Sequence, residues 1–172
     1  MTKTHPFITY LESRRDDRGL LAALRRGLGQ PPGTVASMYR YVVPWLPGDA
    51  PLWYENAYYL VAALFAYHPT EGDKGNLGDH FARARALQGD DTAIERRFTA
   101  LLATHPDDFS YYLRQAISFL KSQKSPVPVN WHQLLSDVMA WGHPDRREHV
   151  QRNWARAFWG RPTKETQTTE EE

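Results

Sequence analysis

Apolar residues recur three and four positions apart along nearly the whole chain, and no segment alternates apolar and polar residues as a half-buried strand would. That periodicity, interrupted at short intervals by Pro, Gly, Asn and Asp, predicts an all-α fold. A first helix is expected over residues 5–15, with Phe7, Tyr10 and Leu11 on one face. Asp16 or Asp17 is placed to cap a second, whose inward residues are Leu20, Leu21, Leu24 and Leu28. Gly29 stops it, and Pro31-Pro32-Gly33 makes a rigid turn. Thr34 opens a third helix that runs to Val43 and breaks at Pro44. Asp49-Ala50-Pro51 reads as the cap of a fourth, apolar almost all round through Tyr58, Leu60, Val61, Leu64 and Phe65, which suits the middle of a bundle. Residues 68–78 form the most loop-like stretch of the body and are expected to be mobile.

The second half repeats the logic. Asn76 caps a short helix carrying Leu77, Phe81 and Ala84. Thr92 and Glu95 fit a capping box for a helix with Ile94, Phe98, Leu101 and Leu102 inward. Phe109, Tyr112, Leu113, Ala116, Ile117 and Leu120 make the next stripe. Asn130 caps a helix burying Trp131, Leu134, Leu135, Val138 and Met139, which ends at Gly142. A last helix from about Pro144 turns Val150, Trp154, Ala157 and Phe158 inward. The expectation is an irregular bundle of about nine helices with no repeat period. Two small lobes are expected, 1–72 and 73–161, followed by a disordered acidic tail at 162–172. Trp131 and Trp154 belong to the core; Trp141 and Trp159, at helix ends, are expected at a lobe edge or against a partner.

Several chemistries are excluded by what is missing. There is no cysteine among the 172 residues, so disulfide scaffolds, zinc fingers and thiol nucleophiles fall together. The charged start is unlike a signal peptide, and the most apolar stretch, 57–65, is shorter than the roughly 20 residues a membrane span needs. A cytoplasmic protein is expected. Gly75-Asn76-Leu77-Gly78 lacks the glycine spacing and the lysine of a phosphate-cradling loop. His143, Asp145 and His149 are the one suggestive metal group, but their spacing matches no common site, so neither metal nor cofactor is expected. The pairs Asp16-Asp17, Asp90-Asp91 and Asp107-Asp108 each precede an apolar-periodic segment and read as caps. No serine sits in a nucleophile elbow. The chain does not read as an enzyme; a metal-dependent nuclease built on His143, Asp145 and His149 is the catalytic rival.

Charge is distributed more tellingly than its total of +1. The last eleven residues hold one Lys and four Glu, which leaves a body with 20 basic and 16 acidic residues, net +4 and mostly arginine. Arg25 and Arg26, Arg40, Arg96 and Arg97, Arg114 and Lys121, and Arg152 and Arg156 lie beside or opposite the apolar stripes. Such clusters can track a phosphate backbone by releasing its counterions. The plainer alternative is a solvated helix face with partners such as Glu148–Arg152. No base-reading motif is present, so any nucleic acid would be held by its backbone.

Four segments carry a family resemblance: LRRGLGQPPGTVASMYRYVVPWL (24–46), NLG (76–78), ERRFTALLATHPDDFSYYLRQAISFLKS (95–122) and NWHQLLSDVMAWGHPDRREHVQRNWARAFW (130–159). Their order and spacing resemble the CasB family, which supplies the small subunit of Cascade, the type I-E CRISPR surveillance complex. The resemblance implies a two-lobed helical protein without enzymatic activity. It implies a head-to-tail pair of copies in the crRNA-bearing complex, contacts with the large subunit and the backbone subunits, and help in holding target DNA, including the displaced strand. The family's basic positions are matched by Arg25, Arg26, Arg40, Arg96, Arg97 and Arg114; Arg152 and Arg156 lie where its pattern is less strict. A purely structural adaptor, whose basic faces meet acidic protein surfaces, is the alternative.

Overall fold

The computed structural model describes residues 2–72 and 74–161. Among these, nine α-helices and no strands are found: α1 Pro6–Ser13, α2 Arg18–Arg25, α3 Tyr39–Val42, α4 Leu52–Tyr67, α5 Leu77–Gln88, α6 Asp91–Ala103, α7 Phe109–Lys121, α8 Trp131–Gly142 and α9 Arg147–Trp159. The all-α expectation is met. None of these helices is long and apolar enough to cross a membrane.

Helix α4 is the axis. Ala57, Tyr58, Tyr59 and everything from Val61 to Ala66 are buried, as a helix apolar on all sides requires. It packs most extensively on α8 and next on α2, while α5 lies along α9 and α6 joins α5 to α7. The buried side chains form one cluster. That core crosses the expected boundary at 72/73, because α4 and α8 face each other over it.

Local chemistry explains the ends. Asp17 caps α2 by accepting the Leu20 N–H at 3.0 Å. Asn76 and Asp79 form a reciprocal capping box on α5. Asn130 caps α8 through the Gln133 N–H at 3.3 Å. Three boundaries differ from expectation. The cap of α6 is Asp90, which accepts from Ala93 N–H, rather than Thr92. The third helix starts late and is divided: one-turn 3₁₀ segments at Ala36–Met38 and Val43–Trp45 flank α3, and the second contains Pro44, which has no N–H for an α-helical bond. Helix α4 has no side-chain cap; Pro51 immediately precedes it, and Asp49 stands outside. Of the paired carboxylates, those at 16–17 and 90–91 supply a cap, whereas the side chain capping the 3₁₀ turn Pro106–Asp108 is that of His105.

Residues 68–72 of the expected loop are strapped down. His68 is buried and its Nε2 meets the Val127 carbonyl at 2.8 Å. The Gly72 N–H donates to the Val129 carbonyl at 3.0 Å, and Trp131 Nε1 donates to the Thr70 carbonyl at 2.9 Å. Trp141 is corrected from edge to core. It is 1% exposed, stacked on Phe109 at 4.3 Å and on Trp154 at 5.2 Å between ring centroids. Trp159, 45% exposed, does stay at the surface. The expected tail at 162–172 lies outside the described residues.

Candidate nucleic-acid interface

Helix α7 is two-sided. Phe109, Leu113, Ala116, Ile117 and Leu120 face the core, which leaves Tyr111, Arg114 and Lys121 pointing outward. Tyr112, expected inward, is exposed instead, since Phe109, Leu113 and Ala116 already fill the inward arc around it. Arg114 reaches back to the turn that follows α2. Gly29 in that turn has φ +75°, and a Cβ there would meet the guanidinium Nη1 at 2.7 Å. The left-handed backbone favours glycine here, whereas the guanidinium, at the far end of a flexible side chain, could shift to admit a Cβ.

Three clefts run side by side along this face. The central one, about 370 Å³, lies between the Gly27–Pro32 turn, the α4 residues Leu60, Ala63 and Leu64, and Ser110, Tyr111 and Arg114. On one side Tyr111 is also a wall of a cleft of about 230 Å³ lined by Phe81, Arg97, Tyr112, Gln115 and Phe119. On the other, Pro32, Leu60 and Ser110 are shared with a cleft of about 280 Å³ that holds Trp53, Trp141 and Arg147. The three clefts adjoin through these shared wall residues to outline a groove, and one guanidinium lines each: Arg97, Arg114 and Arg147. Asp107 is the one acidic group in the central cleft, and it leans toward His105 at 3.5 Å.

The cations here are held by aromatic and carbonyl groups. The Arg97 guanidinium sits 5.3 Å from the Phe119 ring centroid, and Lys121 Nζ lies 4.0 Å over Tyr67. Arg147 Nε donates to the Trp141 carbonyl at 3.1 Å. Among the described residues, Arg25, Arg26, Arg40, Arg96, Arg97, Arg114, Lys121 and Arg156 are exposed with no carboxylate within 4 Å. Their charge is left for solvent or a ligand. Arg152 is the exception; it pairs with Glu148 at 3.8 Å, both side chains largely in water, which is worth little energetically.

The structure therefore brings together only part of the expected set. Arg97 and Arg114 share the groove, Lys121 continues along the outer side of α7, and Arg25 and Arg26 immediately precede the turn that walls the central cleft. Arg96 is exposed on α6 beside Arg97. Arg40 is on α3, its guanidinium 5.4 Å over Tyr41. Arg156 lines a separate polar cleft of about 540 Å³ with Lys74, Asn76 and Asn153. Two groove residues, Arg147 and Tyr111, were missed by the stripe pattern, and a third, Tyr112, was assigned to its inward face. The adjacent tyrosines on α7 were the available signal. Among the described residues no three His, Asp or Glu side chains gather as a metal would need. His143 packs edge-on against Trp53, and His149 Nε2 pairs with the Asn153 amide at 3.1 Å.

The class is that of an irregular α-bundle with arginines and aromatics lining adjoining clefts of one face. The family model described as CRISPR-associated protein Cse2 matches residues 20–159. The chain is 37% identical over 153 residues to the CRISPR-associated protein Cse2 of Thermus thermophilus, spanning 87% of this chain and 84% of that protein. The crystal structure of CasB from Thermus thermophilus superposes with a TM-score of 0.77 at 30% identity, covering 94% of this chain and all (100%) of that one. A chain of a CRISPR RNA-guided surveillance complex superposes with a TM-score of 0.75 at 26% identity, covering 88% of each. The chain belongs to the CRISPR-associated Cse2 family, also called CasB. The resemblance read from the four sequence segments is thereby borne out.

Proposed function

We propose that this chain is the non-catalytic small subunit of a type I-E Cascade surveillance complex, holding nucleic acid by its sugar-phosphate backbone in the groove along α7. The observation that carries the reading is the presence of Arg97, Arg114 and Arg147 in three adjoining clefts, with no carboxylate within 4 Å of Arg97 or Arg114 among the described residues. Guanidinium groups suit planar, bidentate phosphate contacts, and each neutralised phosphate releases counterions. The relative whose fold this chain shares comes from an RNA-guided complex. In that setting the partners are the crRNA-bearing large and backbone subunits, a second copy of this chain, and target DNA with its displaced strand, all in the cytoplasm.

A few phosphate contacts suffice for such a role. Opening the duplex against a guide is nearly balanced in energy, so small contributions from protein tip it. Tethering within an assembly raises the effective concentration of a weak site. Arg40, Arg96, Arg152 and Arg156 lie away from the groove or face it less directly, and in this reading they contribute to the general field. The test is nuclease protection of the displaced strand in complexes reassembled with Arg97→Glu and Arg114→Glu. Protection should fall about tenfold or more and become less steeply salt-dependent, while the exposed positions leave folding unchanged. Full protection by both variants overturns the reading and favours a structural adaptor that meets acidic protein surfaces.

A further inference from the structure

We infer that the cleft between α6 and α7 is a stacking site for an unpaired nucleobase, with Tyr111 and Tyr112 as its walls. The inference rests on the strand-binding reading above and deepens it, because it assigns the bases a place and not only the phosphates.

Tyr111 is 62% exposed and Tyr112 36% exposed, unusual for adjacent aromatic residues on a helix whose other face is core. Their rings meet edge to face at 5.3 Å between centroids and form an open corner. Behind the corner lie the rings of Phe81, which is fully buried, and Phe119, stacked at 5.5 Å. The cleft of about 230 Å³ is lined mainly by aromatic and apolar residues, and Arg97 stands over Phe119 at its rim. Exposed aromatic faces are sequence-tolerant platforms, because every base has a π-face to offer. The occupant is chosen by charge. Arg97 in this cleft and Arg114 in the next flank Tyr111, so an anionic strand laid in the groove carries its bases past the tyrosine corner. A neutral apolar ligand would gain nothing from those cations.

Fluorescence anisotropy on the full chain separates the two levels of the claim. A labelled oligothymidylate is compared at low salt with an abasic strand of equal length, which has the same phosphates and no bases. The thymidine strand should bind about tenfold or more tighter, within the range stacking gives. The double variant Tyr111→Ala/Tyr112→Ala should bring that ratio close to one without changing abasic binding, whereas Tyr111→Phe should keep the preference. Arg114→Glu should weaken both strands alike. Equal wild-type affinities for the two strands overturn the base site and leave the phosphate reading standing. A double variant that loses both strands equally also overturns it. Failure of both strands to bind overturns both readings.

Discussion

Asn130 shows how one side chain can fasten several segments. Its Oδ1 caps α8, its Nδ2 donates to the Gly75 carbonyl at 3.0 Å and to Thr2 Oγ1 at 3.3 Å, and its own N–H donates to His80 Nε2 at 3.0 Å. Because Nε2 of His80 accepts, its proton sits on Nδ1, which is buried with no partner among the described residues. Burial first, and then Arg83, hold the His80 pKa down from 6.5 to about 4. His5 is lowered to about 4 as well, by burial, then Lys3 and His132; its Nε2 meets Ser136 Oγ at 2.7 Å. Both rings stay neutral when folded and take up protons on unfolding. Stability is therefore full above pH 6.5 and drains away as pH falls toward 4, with His80 contributing up to ~3 kcal/mol. Asp137 works the other way. Burial raises its pKa against bonds from Trp154 and Gln133, so it returns stability as it protonates. Urea midpoints should drop between pH 7 and pH 4.5, and the drop should shrink in His80→Gln, whose amide still accepts the Asn130 N–H. Identical midpoints at both pH values would sink this account.

At the scale of elements, α5 and α9 approach closely at Gly78. A Cβ on Gly78 would land on the Trp154 carbonyl oxygen and crowd Ala157 at 3.0 Å, and backbone cannot yield as a side chain would. Gly78→Ala should cost about 3 kcal/mol or more by forcing the two helices apart. Gly48→Ala, with nothing within 4 Å, should be near neutral in the same denaturation series. A wild-type midpoint for Gly78→Ala would mean the crossing can open freely. Most of these elements were readable beforehand. The caps of α2, α5 and α8 follow from a single polar residue ahead of an apolar stripe, and α4 from its all-round apolarity. Where reading failed, it failed at helix starts: Asp90 competed with Thr92 within one turn before α6, and the third helix, expected from Thr34, begins at Tyr39 after a 3₁₀ turn. Trp141 was misplaced because its neighbours Phe109 and Trp154 come from other helices.

Across the molecule, the chain halves are interlocked. Helix α4 has its main partner in α8, and His5 and Glu12 of the first half grip His132 of α8, Glu12 Oε1 at 2.7 Å from Nε2. We therefore treat 1–72 and 73–161 as lobes drawn on the chain that share a core. Residues 1–72 produced alone should show little helical signal and no dispersed amide spectrum, and adding 73–161 should restore both. A cooperative melt of 1–72 by itself would instead establish a separate core. The groove was the least readable feature of all. Its walls come from the turn after α2, from α4, α6 and α7, and from the start of α9, so no local pattern announces it. Arg97 and Arg114 could be picked as basic residues, but their shared destination could not. One consequence follows from the two-sidedness of α7. Inserting or deleting a single residue within its thirteen would swing the outer face by about 100°. Tyrosines and guanidinium would rotate toward the interior while leucines emerged into water. The length of this helix is thus locked.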